Sequence, residues 1–241
     1  MKIIVLQHLD VEHPGIFRSF MQGDGLTWDT VEVDAGEAIP DLAPYDLMMV
    51  MGGPQDVWQE DVYPWLVAEK AAIRRFVVDM GRPYLGICLG HQLLACAVGG
   101  EVAPGVSPEV GVLDVTKTEA GKRDELLAGV GETKTVLQWH GAEVKSLPRD
   151  AAVLASSPAC AIQAFRFGRH AWGLQFHVEA TSTTVDDWAA IPEYAKALEK
   201  ALGTRAVEGL REEVARLMPS FNAQARIIYD NLKRVMATAD S

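Results

Sequence analysis

The sequence predicts an α/β fold: a mostly parallel central sheet covered by helices on both sides, with a helical tail. Three observations carry that expectation. Through the first hundred residues, short apolar runs alternate with segments whose apolar residues recur at helical spacing, the pattern of strands joined by crossover helices. The runs are continuously apolar rather than alternating, as in strands buried on both faces. The last fifty residues show helical spacing alone.

In chain order, residues 2–6 form the first apolar run. Pro14 suits the first turn of a helix, where its fixed φ fits and its missing N–H is not needed. Ile16, Phe17, Phe20 and Met21 follow at helical spacing. Residues 28–33 alternate like a strand, and 46–51 form a run stopped by Gly52-Gly53-Pro54. A helix is expected over about residues 64–80, with Leu66, Ile73, Phe76, Val77 and Met80 on one face. Residues 83–87 read as a strand, and 89–98 as a helix ended by Gly99-Gly100. From residue 110 the pieces shorten, with strands expected over 110–115, 133–137, 161–167 and 171–176, forming a partly antiparallel edge. Three tail helices are expected. One covers 194–202, a second carries Val207, Leu210, Val214, Leu217 and Met218, and a third carries Phe221, Ala225, Ile228, Leu232, Val235 and Met236.

Composition narrows the function. A chain of 241 residues has length for a substantial core without disulfide or metal staples. Its 22 basic against 33 acidic residues leave a net charge of −11. With no basic run, that balance offers no footprint for nucleic acid or for an anionic membrane. Cys88, Cys96 and Cys160 form no Cys-x-x-Cys pair, so neither zinc nor a dithiol couple is expected. The histidines are scattered, and no metal or cofactor is expected. The first apolar run is too short for a signal peptide, and no stretch approaches the roughly 18 apolar residues of a membrane span. The expectation is a cytoplasmic protein with free thiols.

One thiol stands apart. In Gly86-Ile87-Cys88-Leu89-Gly90-His91-Gln92 an apolar strand runs straight into a helix, and Cys88 sits at the turn between two glycines. That is the layout of a nucleophile elbow. The glycines would let the backbone turn sharply, and the helix N-terminus would favour thiolate over thiol. The Leu89 N–H could donate into an oxyanion hole. Cys96 and Cys160 lack such surroundings and read as small core residues. A nucleophile needs a base, and the base an orienting partner. Among six histidines, His177 ends the apolar run before it and is followed two residues later by Glu179. In extended backbone these two share a face, so the carboxylate can hold one ring nitrogen while the other meets sulfur.

The segments Met51-Gly52-Gly53-Pro54, Gly86 to Gln92, and Gly173-Leu174-Gln175-Phe176-His177-Val178-Glu179 together resemble class I glutamine amidotransferase domains, in the same order and over about residues 1–190. The resemblance is to the stand-alone, GMP-synthase-like glutaminases. It implies a flavodoxin-like three-layer α/β/α sandwich over residues 1–190, with 191–241 as a helical extension packed on it. It also implies a Cys88–His177–Glu179 triad that hydrolyses the glutamine side-chain amide through a γ-glutamyl thioester. Position by position, Gly53 and Leu89 would supply oxyanion-hole amides, and Gln92 would contact the bound glutamine. Gln138-Trp139-His140-Gly141-Ala142 resembles the loop that holds the substrate's α-carboxylate and α-amino group, through Trp139, Gly141 and Ala142. Two departures stand out: Ala142 takes the place of an Asp common in relatives, and Val178 that of a Pro between base and orienter.

No G-x-x-x-x-G-K-[ST] phosphate loop is present, so an ammonia-accepting synthase would be a separate chain. The alternative is a stand-alone γ-glutamyl hydrolase or peptidase with the same thiol chemistry, to which the Ala142 change is suited. A third reading is a catalytically silent glutamine-binding regulatory partner. A thiol chaperone or peptidase of the DJ-1 kind shares the elbow but not the downstream His177–Glu179 pair or Gln92.

Overall fold

The computed structural model describes residues 1–239; the last two residues of the expected extension lie outside them. One nine-stranded mixed sheet has the order β2-β1-β3-β4-β9-β8-β7-β5-β6. Its parallel half holds β1 (Ile3–Gln7), β2 (Trp28–Glu32), β3 (Leu47–Val50), β4 (Tyr84–Ile87) and β9 (Ala171–Leu174). The antiparallel half holds β5 (Glu101–Lys117), β6 (Thr133–Ser146), β7 (Ala151–Ser156) and β8 (Ala164–Phe167).

The continuous apolar runs are explained by two-sided burial. Along β1, Ile3 and Val5 enter one core while Ile4 and Leu6 enter another; along β3, Leu47 and Met49 part from Met48 and Val50 in the same way. The first core is covered by α1 (Ile16–Gly23) and the C-terminal half of α7 (Ala206–Ala239). The second is covered by α2 (Trp65–Arg74), which continues as a π-helical turn over Arg75–Asp79, and by α3 (Leu89–Ala97). Short α4 (Glu119–Lys122) packs on β7. A third core joins the β5–β6 hairpin to α5 (Thr184–Ala189), α6 (Pro192–Leu202) and the first half of α7.

Several expectations are corrected. The second and third tail helices are one 34-residue helix that runs through Pro219. A proline inside a helix costs about 3 kcal/mol through its lost hydrogen bond and ring clash, but α7 is anchored on both sides, by Leu210 and Val214 in one core and Ala225 and Ile228 in another. Residues 138–142, expected as a loop, belong to β6; the irregularity lies instead in β5, where residues 105–108 bulge out between the pairs Pro104–Ala142 and Glu109–His140. Strand β7 was not foreseen, because Ala and Ser dominate it and only Val153 is β-branched. Pro14 precedes α1 rather than opening it: Gly15 caps the helix with φ 50°, and the Ile16 N–H donates to the Glu179 carbonyl at 2.8 Å. Among the described residues no helix is long and apolar enough to cross a membrane.

Candidate active site

The segments that carry the site leave the sheet at the carboxyl ends of parallel strands, where α/β folds gather their ligands. His8 follows β1, Gly52-Gly53 follow β3, Cys88 follows β4 and Gln175–Glu179 follow β9. Cys88 has φ 52° and is the one non-glycine with positive φ among the described residues. Such a conformation costs about 1–3 kcal/mol and persists where the surroundings over-determine it. Here the Cys88 N–H donates to the Leu174 carbonyl at 2.8 Å, and the Gly90 N–H to Met51 at 3.1 Å. The flanking glycines serve differently from the expectation. Neither has positive φ; a Cβ on Gly86 would stand 2.4 Å from the Gly90 oxygen, and one on Gly90 would stand 2.1 Å from the Val50 oxygen. They let α3 lie tight against β3 and β4, while Cys88 itself takes the strained turn.

His177 and Glu179 lie together as expected: ring Nδ1–H donates to the Glu179 carboxylate at 2.6 Å. Cys88 lies close enough to the imidazole to raise its pKa, and with Nδ1 taken by Glu179 it is Nε2 that is left for the sulfur. Burial alone would lower the pKa of His177, but the charge and hydrogen bond of Glu179, with the nearby Cys88, outweigh it and hold the pKa well above its ordinary value. The ring therefore favours the imidazolium. The backbone beneath it is fixed, with the His177 N–H donating to Leu137 at 2.9 Å and Val178 buried in the first core. Trp188 packs edge-on against the imidazole, ring centres 4.4 Å apart.

Gly53, Leu89, Gln92, Trp139, Gly141 and Ala142 all line one cavity with Cys88, of about 140 Å³. Leu89 is the first residue of α3, so its N–H has no acceptor within the helix. Gly53 donates no hydrogen bond to a protein group among the described residues. The Gln92 amide nitrogen is committed to the protein, donating to the Ala142 carbonyl at 3.2 Å and to Gln175 Oε1 at 3.1 Å, so only its oxygen is left for a ligand. The Ala142 carbonyl also accepts from His140 Nδ1 at 2.9 Å, and the Trp139 indole donates to the Tyr194 carbonyl at 3.3 Å. Of the other thiols, Cys160 is buried and pushed up to about 12 by burial, and half-buried Cys96 is raised by the same cause.

The sequence reading missed several participants. Gln175 donates to the Cys88 sulfur at 3.7 Å. Glu12 stands beside the pair: it and the His177 and Glu179 ligand atoms lie within 4.8 Å of one another. Tyr194 donates to Glu12 at 2.5 Å, and burial raises the Glu12 pKa despite His177 and Tyr194. As arranged, His177 and Glu179 are bonded to each other and Glu12 to Tyr194. Glu109 holds His140 from behind, 3.2 Å from its Nε2, while accepting from Ser157 and Gln163 at 2.7 Å. His8 donates from Nδ1 to the Gly52 carbonyl at 2.8 Å and from Nε2 to Glu69 at 3.0 Å. Burial would lower the His8 pKa, but Glu69 and the Gly52 carbonyl raise it overall. The one usable signal for His8 and Glu12 was positional: both lie in the polar stretch directly after an apolar strand.

Chemically, a thiol near an imidazolium, with two open backbone N–H groups lining the same cavity, can add to a carbonyl carbon and hold the resulting oxyanion. Comparison with known proteins agrees. The family model described as "Glutamine amidotransferase class-I" matches residues 17–190. The chain is 33% identical over 216 residues to the glutamine amidotransferase-like protein YfeJ of Salmonella typhimurium, covering 88% of this chain and 89% of that one. It is 32% identical over 146 residues to one subunit of the glutamine-hydrolyzing GMP synthase of Saccharolobus solfataricus, covering 60% of this chain and 73% of that relative. Of whole GMP synthases the chain spans about a quarter of the length. A glutamine amidotransferase crystal structure from Thermotoga maritima superposes with a TM-score of 0.86 at 27% identity, over 96% of this chain and 97% of that one.

Proposed function

The chain belongs to the class I glutamine amidotransferase family, and from that premise we propose that it hydrolyses the glutamine side-chain amide through a γ-glutamyl thioester on Cys88. The observation that carries this reading is the His177–Glu179 pair, bonded at 2.6 Å, with Cys88 near enough to raise the imidazole pKa. Cys88 adds as the thiolate to the amide carbon. Gly53 and Leu89 N–H groups receive the negative charge that develops on the amide oxygen. As the intermediate collapses, the C–N bond breaks and His177 gives its proton to the departing nitrogen, releasing ammonia. The now neutral His177 takes a proton from water, which attacks the thioester; glutamate leaves and the thiolate returns. Glu179 keeps the ring in the orientation that serves both transfers.

The cavity supports a single amino acid as substrate. At about 140 Å³ it is well below the roughly 300–1,000 Å³ of drug-sized sites. Asp56 and Glu193 line it, and no Lys or Arg does. Burial pushes the Asp56 carboxyl up, and no cation partners it among the described residues, so a substrate α-ammonium would meet it there in place of an Asp at position 142. The ammonia goes to water or to a synthase on a separate chain, by analogy with the relative named as part of a synthase. The test is ammonia and glutamate release from glutamine, γ-glutamyl dipeptides and glutathione, in wild type and Cys88→Ser. Release from glutamine that vanishes in the variant, with thermal unfolding unchanged, is expected. Faster turnover of the peptides would replace this reading with a γ-glutamyl hydrolase, and persistent release by Cys88→Ser would refute the thioester.

A further inference from the structure

His8 and Glu69 are used nowhere in the chemistry above, yet both are fully buried, 0% exposed. They come from distant parts of the chain, the end of β1 and the middle of α2. The imidazole Nε2 reaches both Glu69 oxygens, at 3.0 and 3.1 Å, and the ring stacks on Trp65 with centres 5.3 Å apart. A buried ion pair holds a fold together little better than apolar side chains of the same volume, so stability alone gives no reason for this one. Its other contact does. Nδ1–H donates to the Gly52 carbonyl, and that carbonyl belongs to the same peptide unit as the Gly53 N–H.

The Gly52–Gly53 peptide is trans, and in a planar trans peptide the carbonyl and the N–H point in opposite directions. Holding the oxygen therefore aims the N–H. Two glycines in sequence leave this peptide free to rotate, so something outside the loop must choose its orientation. A Cβ on Gly53 would stand 2.9 Å from the His8 Cβ and 2.8 Å from Leu89 Cδ2, which places Gly53 between His8 and the residue that follows the nucleophile. Gln55 Nε2 donates to the His8 carbonyl at 3.4 Å and ties the loop to the same residue.

We propose that His8, clamped by Glu69, is a positioning residue that locks the Gly52–Gly53 peptide with its N–H toward the cavity and so keeps the oxyanion hole formed. The inference rests on the acyl-transfer reading of the site. It predicts that the nitrogen facing Gly52 matters more than the one facing Glu69. The amide nitrogen of Asn falls near the Nδ1 position and that of Gln near Nε2, so the two substitutions separate these contacts.

The experiment compares wild type, His8→Asn, His8→Gln and the apolar pair His8→Leu/Glu69→Leu, the last chosen to keep the volume and the fold. Each is assayed for glutamine kcat and KM, for Cys88 acylation by p-nitrophenyl acetate, and for Cys88 alkylation by iodoacetamide, with Cys88→Ser subtracted as background. Acylation passes through an oxyanion and alkylation does not. Since one oxyanion donor is worth about 10²–10³ in kcat, His8→Gln and the Leu pair should lose about 10²-fold in kcat and in acylation. His8→Asn should keep at least about a tenth of wild-type kcat, and alkylation should stay within about threefold throughout. The reverse order, His8→Asn worse than His8→Gln, or a Leu pair with wild-type acylation, overturns the proposal. Should wild type release no ammonia from glutamine, the glutaminase reading fails, while the ratio of acylation to alkylation still decides the role of His8.

Discussion

His177 sits between two groups that ask for its charge. Buried away from water, its imidazolium would be unfavourable without Glu179, whose charge and 2.6 Å bond bring the pKa back above the ordinary value. Because the folded pKa is raised, this interaction stabilises the fold fully below the unfolded value near 6.5 and is lost as pH rises through the folded pKa. Glu179→Gln removes the charge and lets the His177 pKa fall. One pKa unit corresponds to about tenfold, so Cys88 alkylation near neutral pH should slow by about tenfold or more, and the alkylation pH profile should change shape. An unchanged profile would contradict the electrostatic role of Glu179. Asp56 offers a second test at this scale. If it meets the substrate ammonium, Asp56→Asn should raise the KM for glutamine about tenfold, the worth of one charged hydrogen bond, with kcat nearly unchanged. A fall in kcat at constant KM would place Asp56 outside substrate binding. The sequence marked Cys88, His177 and Glu179 because their spacing is local. It left Glu12, Gln175 and Glu69 unmarked because their partners lie far along the chain.

At the scale of elements, the strand-to-helix turn at Cys88 depends on how closely α3 approaches the sheet. Gly90 lies against the Val50 backbone, where an added Cβ would be 2.1 Å from a carbonyl oxygen, and backbone yields less readily than a side-chain tip. Gly90→Ala should therefore cost about 3 kcal/mol, the upper part of the usual range for overpacking, read as a lower midpoint in urea unfolding. A loss below about 1 kcal/mol would show that α3 can shift freely. The glycine bracket was visible in the sequence, but its reason was not: it reads equally as a flexible turn or as a close approach, and only the neighbouring strand separates the two. Helix α7 teaches the same lesson. Pro219 stands between the two tail helices that were expected, yet packing on two cores outweighs the local penalty.

Across the whole molecule, the β5–β6 hairpin, α5, α6 and the first half of α7 enclose a third core beside the cavity, including Trp139, Trp188 and Tyr194. The second half of α7 supplies Ala225, Ile228, Leu232 and Met236 to the core that holds Ile3, Val5, Leu47 and Trp172. We propose that the tail is packed on the rest as one of its covering layers. Ending the chain after residue 205 should expose that face of the sheet and give aggregated protein by size-exclusion chromatography. A soluble, cooperatively folding product would instead make α7 a separable attachment.

By itself the sequence determined the alternation of strands and helices, the cysteine at the β4–α3 junction and the His177–Glu179 pair. Each of these follows from residues a few positions apart, where period, turn chemistry and shared faces act directly. Tertiary structure alone decided that residues 138–142 lie in a strand, that Glu12 and Tyr194 meet across 182 positions beside His177, and that His8 reaches Glu69 under the Gly52 carbonyl. Such contacts form where the residues after a strand meet a helix from a distant part of the chain, and no local period records which helix that will be.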